Sequence, residues 1–371
     1  MPETAASRYQ RVRLTLSLVE LFVTLATLWV WTFFGMAWGA RDAVLTLTPS
    51  RWIQIGLYAM GLSLFLYLVT FPLHVTQGYF LEKAFGLSQQ RLRDWFLREA
   101  KQGILSLLLF LIVVEIGYAC IRQVPRFWWL WFGLFWFVMS FGLTKIFPTL
   151  IVPLFYRYSR IEDPVLVEKL THFLEKEGCR LEGIWTIDFS KETTKANAAM
   201  MGLGKSRRVV LTDTLIKQFT PEEIQTVVAH EWGHRKYRHL VKSLLFNGGI
   251  NLFGFFLLGK ALSRILVPPG YLGLTDLAGL SLFLFTFTLY GFCLLPLQMD
   301  FRGYLSGKRT PMRSKPREHG GILFWRCRNW PRETLRNSRR IPGLNSSFTT
   351  TPLSGGGSPL QKNFECKEKA A

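Results

Sequence analysis

Apolar residues gather in runs on the order of 20 residues, and these runs constrain the fold more than any other feature. The first of them is Leu14–Trp38. At a rise of roughly 1.5 Å per residue, a helix of this length crosses a hydrocarbon core of about 30 Å. Of the 371 residues, 49% are hydrophobic and only 19% are charged, which excludes a disordered chain and a small disulfide-stabilised domain. The sequence therefore predicts an integral membrane protein.

The apolar runs predict a polytopic, α-helical membrane protein. The first run is expected to remain as an anchor, because it is too long for the core of a secretory signal and no small-residue cleavage site follows it. Between the fourth and fifth spans lies a polar block, Pro153–Lys242, that is mixed enough to fold as a compact unit. The predicted spans are Leu14–Trp38, Trp52–Phe71, Ile104–Ile121, Phe127–Val152, Leu244–Val267 and Leu277–Leu297.

Lysines and arginines in short loops predict the orientation, because loops that are rich in them stay in the cytoplasm. Loops on one side hold only Arg41, Arg51, Arg122 and Arg126. The N-terminal arm and the loop after the second span hold Arg8, Arg11, Arg13, Lys83, Arg91, Arg93, Arg98 and Lys101. The N-terminus and the polar block are therefore predicted to face the cytoplasm.

Four charged residues interrupt the spans, namely Glu20, Glu115, Lys145 and Lys260. Such groups face a bundle interior or a water-filled cavity rather than lipid. Two interpretations stay open, pairing between helices and a transport path, and the first is favoured.

Local patterns inside the polar block predict a small α+β unit. Asp163–Gly178 has apolar residues at a helical period and ends at a glycine. Gly183–Phe189 and Arg207–Leu211 are typical of strands. Thr220-Pro221-Glu222-Glu223 then starts a second helix, with a capping box and a proline at its first position.

The second helix carries His230-Glu231-Trp232-Gly233-His234, an H-E-x-x-H motif. Histidines at i and i+4 share one helix face, where two ring nitrogens can hold a tetrahedral zinc ion. Glu231 is then beside the metal and can take a proton from its water. Gly233 is expected to let another segment approach closely. The alternative is a structural helix with coincidental histidines, and the capped, amphipathic sequence around the motif makes it the weaker interpretation.

Further residues near the motif have predicted positions. On a continuous helix His239 would point about 140° away from His234, so it is expected to face solvent or to support the ligands from outside. His74 and His172 are predicted to be structural. Asn197-Ala198 are expected on an exposed sheet edge that holds a substrate as an added strand, although an ordinary turn asparagine fits the sequence equally well.

Several motifs resemble those of the CAAX prenyl protease 1 family, a family of integral-membrane zinc endopeptidases. Glu222–His239 is similar to the family's E-x-x-x-V-x-A-H-E-x-G-H-x-x-x-x-H. Asn197–Gly202 and Arg208–Leu215 resemble its N-A-x-x-x-G and R-x-V-L-x-D-T-L stretches. Glu82–Leu87, Asp94 with Lys101, and Phe147–Phe155 resemble its first loop and its entry to the protease domain. Together these motifs extend over about Leu14–Pro296.

The resemblance implies a helical membrane barrel around a large chamber, with one zinc ion per chain near the cytoplasmic face. His230 and His234 are the implied zinc ligands, Glu231 the implied general base, and Asn197 and Ala198 part of the implied substrate-binding edge. The implied partners are membrane lipid and a peptide or protein substrate, either prenylated CAAX C-termini in eukaryotes or membrane and misfolded peptides in bacteria. The implied location is the bacterial inner membrane or the endoplasmic reticulum.

The sequence departs from the family pattern after the sixth span. The family's third zinc ligand is the glutamate of S-R-x-x-E-x-x-A-D, and no such motif follows Pro296. Two histidines alone are expected to hold zinc weakly. The tail offers poor substitutes, because none of them lies on a convincing helix: Asp300, Glu318, His319, Cys327 and Glu333.

A shifted reading frame near Pro296–Gln298 is the hypothesis that accounts for this tail. Synonymous codons across Gln298–Arg313 permit D-G-L-S-R-V-F-E-W-Q-A-D-A-Y-A in another frame, which contains the missing motif in the required place. The shift also accounts for much of the net charge of +20, because the stretch from Asp300 onward holds 15 Lys/Arg against 5 Asp/Glu. Without a shifted frame, binding to lipid headgroups or to nucleic acid would have to explain that charge. Because the shifted frame explains it, nucleic acid is not an expected partner.

The predicted fold class is an all-α polytopic membrane protein with a small α+β zincin-like protease domain between spans four and five. The expected parts are a four-span region over 1–152, the zinc protease domain over 153–243, two further spans over 244–297, and an out-of-frame basic tail over 298–371. Two other functions stay open. The first is a heat-shock-type membrane quality-control protease, and the second is a catalytically silent membrane scaffold, since the third ligand is missing.

Overall fold

The computed structural model describes residues 5–202, 207–262 and 270–305, with backbone alone at Leu262. Helices dominate this part of the chain. They are α1 (Ala5–Phe33), α2 (Met36–Leu47), α3 (Arg51–Ala84), α4 (Leu92–Gln123), α5 (Trp128–Phe155), α6 (Pro164–Lys176), α7 (Asp213–Gln218), α8 (Pro221–Lys236), α9 (His239–Leu262), α10 (Gly279–Cys293) and α11 (Leu295–Leu305).

Five of these helices are long and apolar enough to cross a membrane, namely α1, α3, α4, α5 and α9. α10 and α11 meet at a bend of 49° and form a sixth crossing if they are counted as one span. Each overlaps one of the predicted apolar runs, so the prediction of a polytopic α-helical membrane protein is confirmed. α2, with 12 residues, is too short to span a bilayer.

Aromatic packing joins the later membrane helices. Trp128, Phe132 and Phe255 form a buried cluster between α5 and α9, and the ring centroids of Phe132 and Phe255 lie 4.8 Å apart. A Cβ at Gly133 would lie 2.4 Å from a Leu252 methyl carbon. A larger residue at position 133 would therefore require the Leu252 side chain to move.

Polar contacts join the membrane helices to one another and to the segments between them. Gln77 Nε2 of α3 donates a hydrogen bond to Glu20 Oε2 of α1 over 2.7 Å, which agrees with the interpretation of Glu20 as a helix-pairing residue. Arg41 Nη1 of α2 lies 2.9 Å from Asp276 Oδ2 in the segment before α10, and the Asp276 side chain is buried. The Tyr118 hydroxyl donates to the Asp276 carbonyl over 2.9 Å.

The polar block contains a mixed four-stranded sheet in the order β1-β2-β4-β3. Its strands are β1 (Tyr158–Arg160), β2 (Gly183–Ile187), β3 (Ala198–Met201) and β4 (Arg208–Thr212). The central strands β2 and β4 are parallel, and the outer strands β1 and β3 pair antiparallel with them. The two strands predicted from sequence are the central ones, whereas the two short edge strands were missed.

Helices α6 and α8 cover one face of this sheet. Leu166, Leu170 and Leu174 recur every four residues along α6, so they share one helix face, and all three are almost fully buried. They pack in one cluster with Val209 and Leu211 of β4. Burial of such side chains contributes about 2 kcal/mol each.

The loop after α3 bonds directly to the segment that leads into β3. The Leu87 carbonyl accepts hydrogen bonds from Thr194 N over 3.0 Å and from Thr193 Oγ1 over 2.6 Å. Gln89 N donates to the Glu192 carbonyl over 3.1 Å. The membrane region thereby fixes the entry to one edge of the sheet.

An ion pair strengthens the same junction. Lys195 Nζ lies 2.7 Å from Glu82 Oε2, and the two side chains are only 19% and 15% exposed. The Tyr9 hydroxyl of α1 donates a hydrogen bond to Glu82 Oε1. Parts of α1, α3 and the segment before β3 therefore meet at one carboxylate.

Removal of one charge at this junction should destabilise it, because the other charge would stay nearly buried without its partner. We expect Lys195→Met to lower the free energy of unfolding by about 2 kcal/mol and to speed hydrogen exchange between residues 192 and 201. Glu182→Gln is the matched control, since the Glu182–Arg208 pair is more exposed and should change stability by about 0.5 kcal/mol or less. Equal effects of the two substitutions in thermal unfolding would contradict the proposed importance of the junction.

Candidate active site

Helix α8 holds the H-E-x-x-H motif and is fixed at its start and along one face. Thr220 Oγ1 accepts a hydrogen bond from Glu223 N, and Glu223 Oε2 accepts one from Thr220 N over 2.9 Å. The predicted capping box is therefore confirmed. Ile224, Val228 and Trp232 are buried against the sheet, so the motif cannot rotate about the helix axis.

The two motif histidines point their ring nitrogens at one another. His230 Nε2 and His234 Nε2 lie 3.1 Å apart, and the rings are almost perpendicular, at 87°. Two nitrogens bound to one tetrahedral zinc at 2.0–2.1 Å would be about 3.3 Å apart. The pair thus fits two corners of a zinc site without a change of rotamer.

Burial keeps both imidazoles in the form that binds metals. Burial lowers the pKa of His234. Burial also lowers the pKa of His230, and the positive charges of His234 and His239 lower it further. A neutral imidazole has a nitrogen lone pair for a metal, whereas a protonated one has none. The two side chains are therefore ready to bind a cation at neutral pH.

Glu231 lies between the two histidines in the sequence, and its side chain is partly buried. Burial raises the pKa of its carboxyl to about 7. A group in this range both accepts and releases a proton near neutral pH, which is what general acid–base chemistry requires.

His239 lies beside His234, in contrast to the orientation expected for a continuous helix. α8 ends at Lys236, and Arg238 has φ 53°, in the left-handed region. The chain therefore turns before α9 begins, and His239 Nδ1 comes within 2.8 Å of His234 Nδ1. The expected 140° separation was wrong because the helix does not continue. Of the two roles expected for His239, the contact agrees with support of His234 rather than exposure to solvent.

Asn197 and Ala198 lie at the start of β3, the edge strand that packs against α8. The Asn197 carbonyl accepts a hydrogen bond from Thr212 N over 3.0 Å, so Asn197, Ala199 and Met201 turn their backbone groups toward β4. Because these groups alternate along an antiparallel strand, Ala198 and Met200 turn theirs toward the open edge. Asn197 Oδ1 accepts from Ala198 N over 3.0 Å.

Thr212 fixes the position of this edge, and the sequence analysis did not identify it. Its hydroxyl accepts from Asn197 N over 2.9 Å and contacts the Asn197 carbonyl over 3.0 Å. The same oxygen accepts from Leu215 N and so caps α7. A threonine directly before an acidic helix start is an N-cap signal, and it could have marked this residue.

Arg235 fixes the other end of the edge strand. Its guanidinium donates a hydrogen bond to the Gly202 carbonyl, directly after β3. Burial and the nearby Arg207 lower the pKa of Arg235. The helix that carries the histidines and the strand beside them are thus joined by a side chain next to His234.

No third metal-binding side chain joins the two histidines within residues 5–202, 207–262 and 270–305. Asp300 lies on α11, whereas Glu318, His319, Cys327 and Glu333 lie outside the described residues. Gly233 also differs from expectation, because a Cβ there would meet no described atom within 4 Å. Among the described residues, open space rather than a closely packed segment therefore lies beside Gly233.

The described residues combine a polytopic helical bundle with an H-E-x-x-H helix packed on a small sheet, and two family models match this combination. Residues 4–157 match the family model described as CAAX prenyl protease N-terminal, five membrane helices. Residues 160–297 match the model for peptidase family M48. These matches extend over well more than half of the chain, and the chain belongs to peptidase family M48.

Relatives in this family are similar over part of their length. The uncharacterized metalloprotease YhfN of Bacillus subtilis is 26% identical over 264 residues, which are 70% of this chain and 62% of the relative. The CAAX prenyl protease 1 of Saccharomyces cerevisiae is 31% identical over 184 residues, 48% of this chain and 40% of the relative. The chain thus spans about half the length of the curated relatives it matches.

A solved structure supports the fold. The crystal structure of S. mikatae Ste24p aligns with a TM-score of 0.68 over 81% of this chain and 74% of that chain, at 22% sequence identity. The all-α membrane architecture with its small α+β unit is therefore confirmed.

Replacement of the Thr212 hydroxyl should loosen β3. Thr212→Val keeps the side-chain shape but loses the bonds to Asn197 and the cap of α7, so we expect a loss of about 2 kcal/mol of unfolding free energy. Thr212→Ser keeps the hydroxyl and should cost about 0.8 kcal/mol for the lost methyl. Thermal unfolding and the exchange rate of the Asn197 amide measure both effects, and a serine variant as unstable as the valine variant would refute this role.

Proposed function

We propose that the chain is a zinc-dependent endopeptidase that hydrolyses peptide bonds next to the membrane. The observation that carries this proposal is the 3.1 Å separation of His230 Nε2 and His234 Nε2 on a capped helix with Glu231 between them. Family membership and the membrane helices support it.

His230 and His234 would hold one zinc ion per chain. When bound, zinc acidifies a water molecule and polarises the scissile carbonyl. Glu231 would accept a proton from the attacking water as its oxygen forms the new C–O bond, and would pass that proton to the leaving nitrogen, so that the C–N bond breaks with release of a neutral amine.

The substrate would bind as a further strand on β3. Met200 turns its N–H and C=O toward the open edge, and Ala198 turns its carbonyl there, while Asn197 fixes the Ala198 amide. Backbone pairing of this kind holds any extended peptide without reading its side chains. The contact between β3 and α8 supports a binding position for such a peptide beside the helix that carries the two histidines.

The third zinc ligand would come from an in-frame tail. The match to peptidase family M48 ends at residue 297, next to the position at which the sequence loses the family pattern. This coincidence supports a shifted frame near Pro296–Gln298. The nucleotide sequence tests it, because an alternate frame with an early stop or without the glutamate codon excludes it.

The substrates we favour are prenylated CAAX C-termini. The match of residues 4–157 to the CAAX prenyl protease N-terminal model supports this class over a quality-control protease. Short-loop Lys/Arg counts support a cytoplasmic orientation of the protease domain, proposed here as residues 153–243. A bacterial inner membrane and the endoplasmic reticulum both fit this orientation.

Zinc content and cleavage test the proposed reaction. For the chain with its tail restored to frame, we expect Glu231→Gln to retain zinc and to lose at least about 10²-fold in cleavage rate, because proton transfer is removed. His230→Ala should lose the metal as well. Glu222→Gln is the matched control on an exposed part of the same helix and should leave both properties unchanged.

Cleavage of a prenylated CAAX peptide, compared with the same peptide unmodified, separates the substrate classes. Preference for the prenylated peptide supports CAAX processing, and equal cleavage supports the quality-control alternative. A protein that binds no zinc and cleaves neither peptide would be the silent scaffold.

The open edge of β3 can be tested without turnover. Met200→Pro removes one N–H that points away from β4 and should weaken binding of an extended peptide roughly fivefold to tenfold, the value of one hydrogen bond. Met200→Ala loses similar packing but keeps the N–H, so its peptide affinity should stay near that of the parent. Fluorescence titration in a Glu231→Gln background measures the Kd, and equal affinities of the proline and alanine variants would exclude binding through this edge.

A further inference from the structure

Both ring nitrogens of His234 have a defined neighbour. Nε2 faces His230 Nε2 at 3.1 Å, and Nδ1 faces His239 Nδ1 at 2.8 Å. The His234 ring therefore lies between the other two imidazoles, with one nitrogen directed toward the metal corner and the other directed away from it.

The chain places His239 there by breaking the helix. Arg238 N donates to the Arg235 carbonyl over 3.0 Å, and Arg238 itself adopts φ 53°. Non-glycine residues rarely occupy this conformation. The Tyr237 ring stacks on His239 with centroids 5.9 Å apart and planes at 22°, so the orientation of the His239 ring is fixed from its other side.

A hydrogen bond between these two rings has a defined direction if His234 binds a cation. Binding through Nε2 leaves the proton of a neutral imidazole on Nδ1. His234 Nδ1–H can then donate only to the lone pair of His239 Nδ1, which sets the tautomer of both rings. Such outer partners orient metal-binding histidines and make them more basic, and their loss weakens metal affinity by about 10–100-fold.

We propose that His239 is a positioning residue that orients His234 for zinc through an Nδ1–H···Nδ1 hydrogen bond made possible by the left-handed turn at Arg238. This inference rests on the proposed function. His239 is not itself a ligand, because its Nδ1 contacts Nδ1 of His234, whereas His230 lies at the other ring nitrogen, Nε2. A histidine in this role differs from the carboxylates and carbonyls that most often support zinc ligands.

The experiment compares substitutions that differ in where they place a polar atom. An asparagine at 239 puts an amide oxygen close to the position of Nδ1, whereas a glutamine puts it near Nε2. For the full chain with its tail restored to frame, we expect His239→Asn to keep the zinc Kd within about threefold, and His239→Gln and His239→Ala to weaken it about 10–100-fold. His172→Ala, on exposed α6 surface, is the control and should leave the Kd unchanged.

Competition with a chromophoric chelator measures the Kd, and visible spectra of the cobalt-substituted proteins report the coordination number. The same spectrum in parent and alanine variants supports positioning; a changed coordination number would make His239 a ligand and overturn the proposal. Equal loss in the asparagine and alanine variants, or no loss in either, would also overturn it. Equal melting temperatures of all variants in chelator exclude a folding defect.

The two proposals fail in different ways. A parent chain that binds no zinc even with its tail restored to frame removes the proposed function and this inference together. A parent that binds zinc, with an alanine variant that binds it equally well, removes only the role of His239.

Discussion

The packing of α8 against the small sheet is the interaction on which the rest of the structure depends. Ile224 and Val228 are buried among the leucines of α6 and the valine and leucine of β4. Because an α-helix turns by about 100° per residue, this one buried face decides where every other residue of the helix points. Apolar packing therefore sets the positions of His230 and His234, although neither histidine is part of the buried cluster.

The edge strand β3 is held from three directions. The Lys195–Glu82 pair fixes its entry to the membrane helices, Thr212 fixes its register on β4, and Arg235 joins its end to α8. An edge strand has hydrogen bonds on one side only, so its position is otherwise weakly determined. These contacts explain how a four-residue strand can be a stable surface beside the histidines.

Sequence reasoning recovered the elements with strong local signals. The apolar runs, the capping box at Thr220 and the two central strands follow from periodicity, capping chemistry and composition. The described residues contain the capping box, both strands and five helices long enough to span, while the sixth run corresponds to a bent pair of helices. The edge strands were missed because their three or four residues bury little and owe their conformation to neighbours. His239 was misplaced because the turn at Arg238 uses a conformation that its side chain does not favour and that no local pattern announces. The contacts of Glu82 and Arg235 join residues far apart in the chain, which local patterns cannot reveal.

The placement of β3 at the rim of its sheet bears on which proteins such a molecule could process. If substrates bind at this edge as proposed, a polypeptide can dock only while its own backbone amide groups make no other hydrogen bonds, so a segment that is already part of a helix or another sheet would not bind. Substrate selection would then depend first on conformation. Unfolded termini or unfolded segments near the bilayer would bind whatever their side-chain sequence.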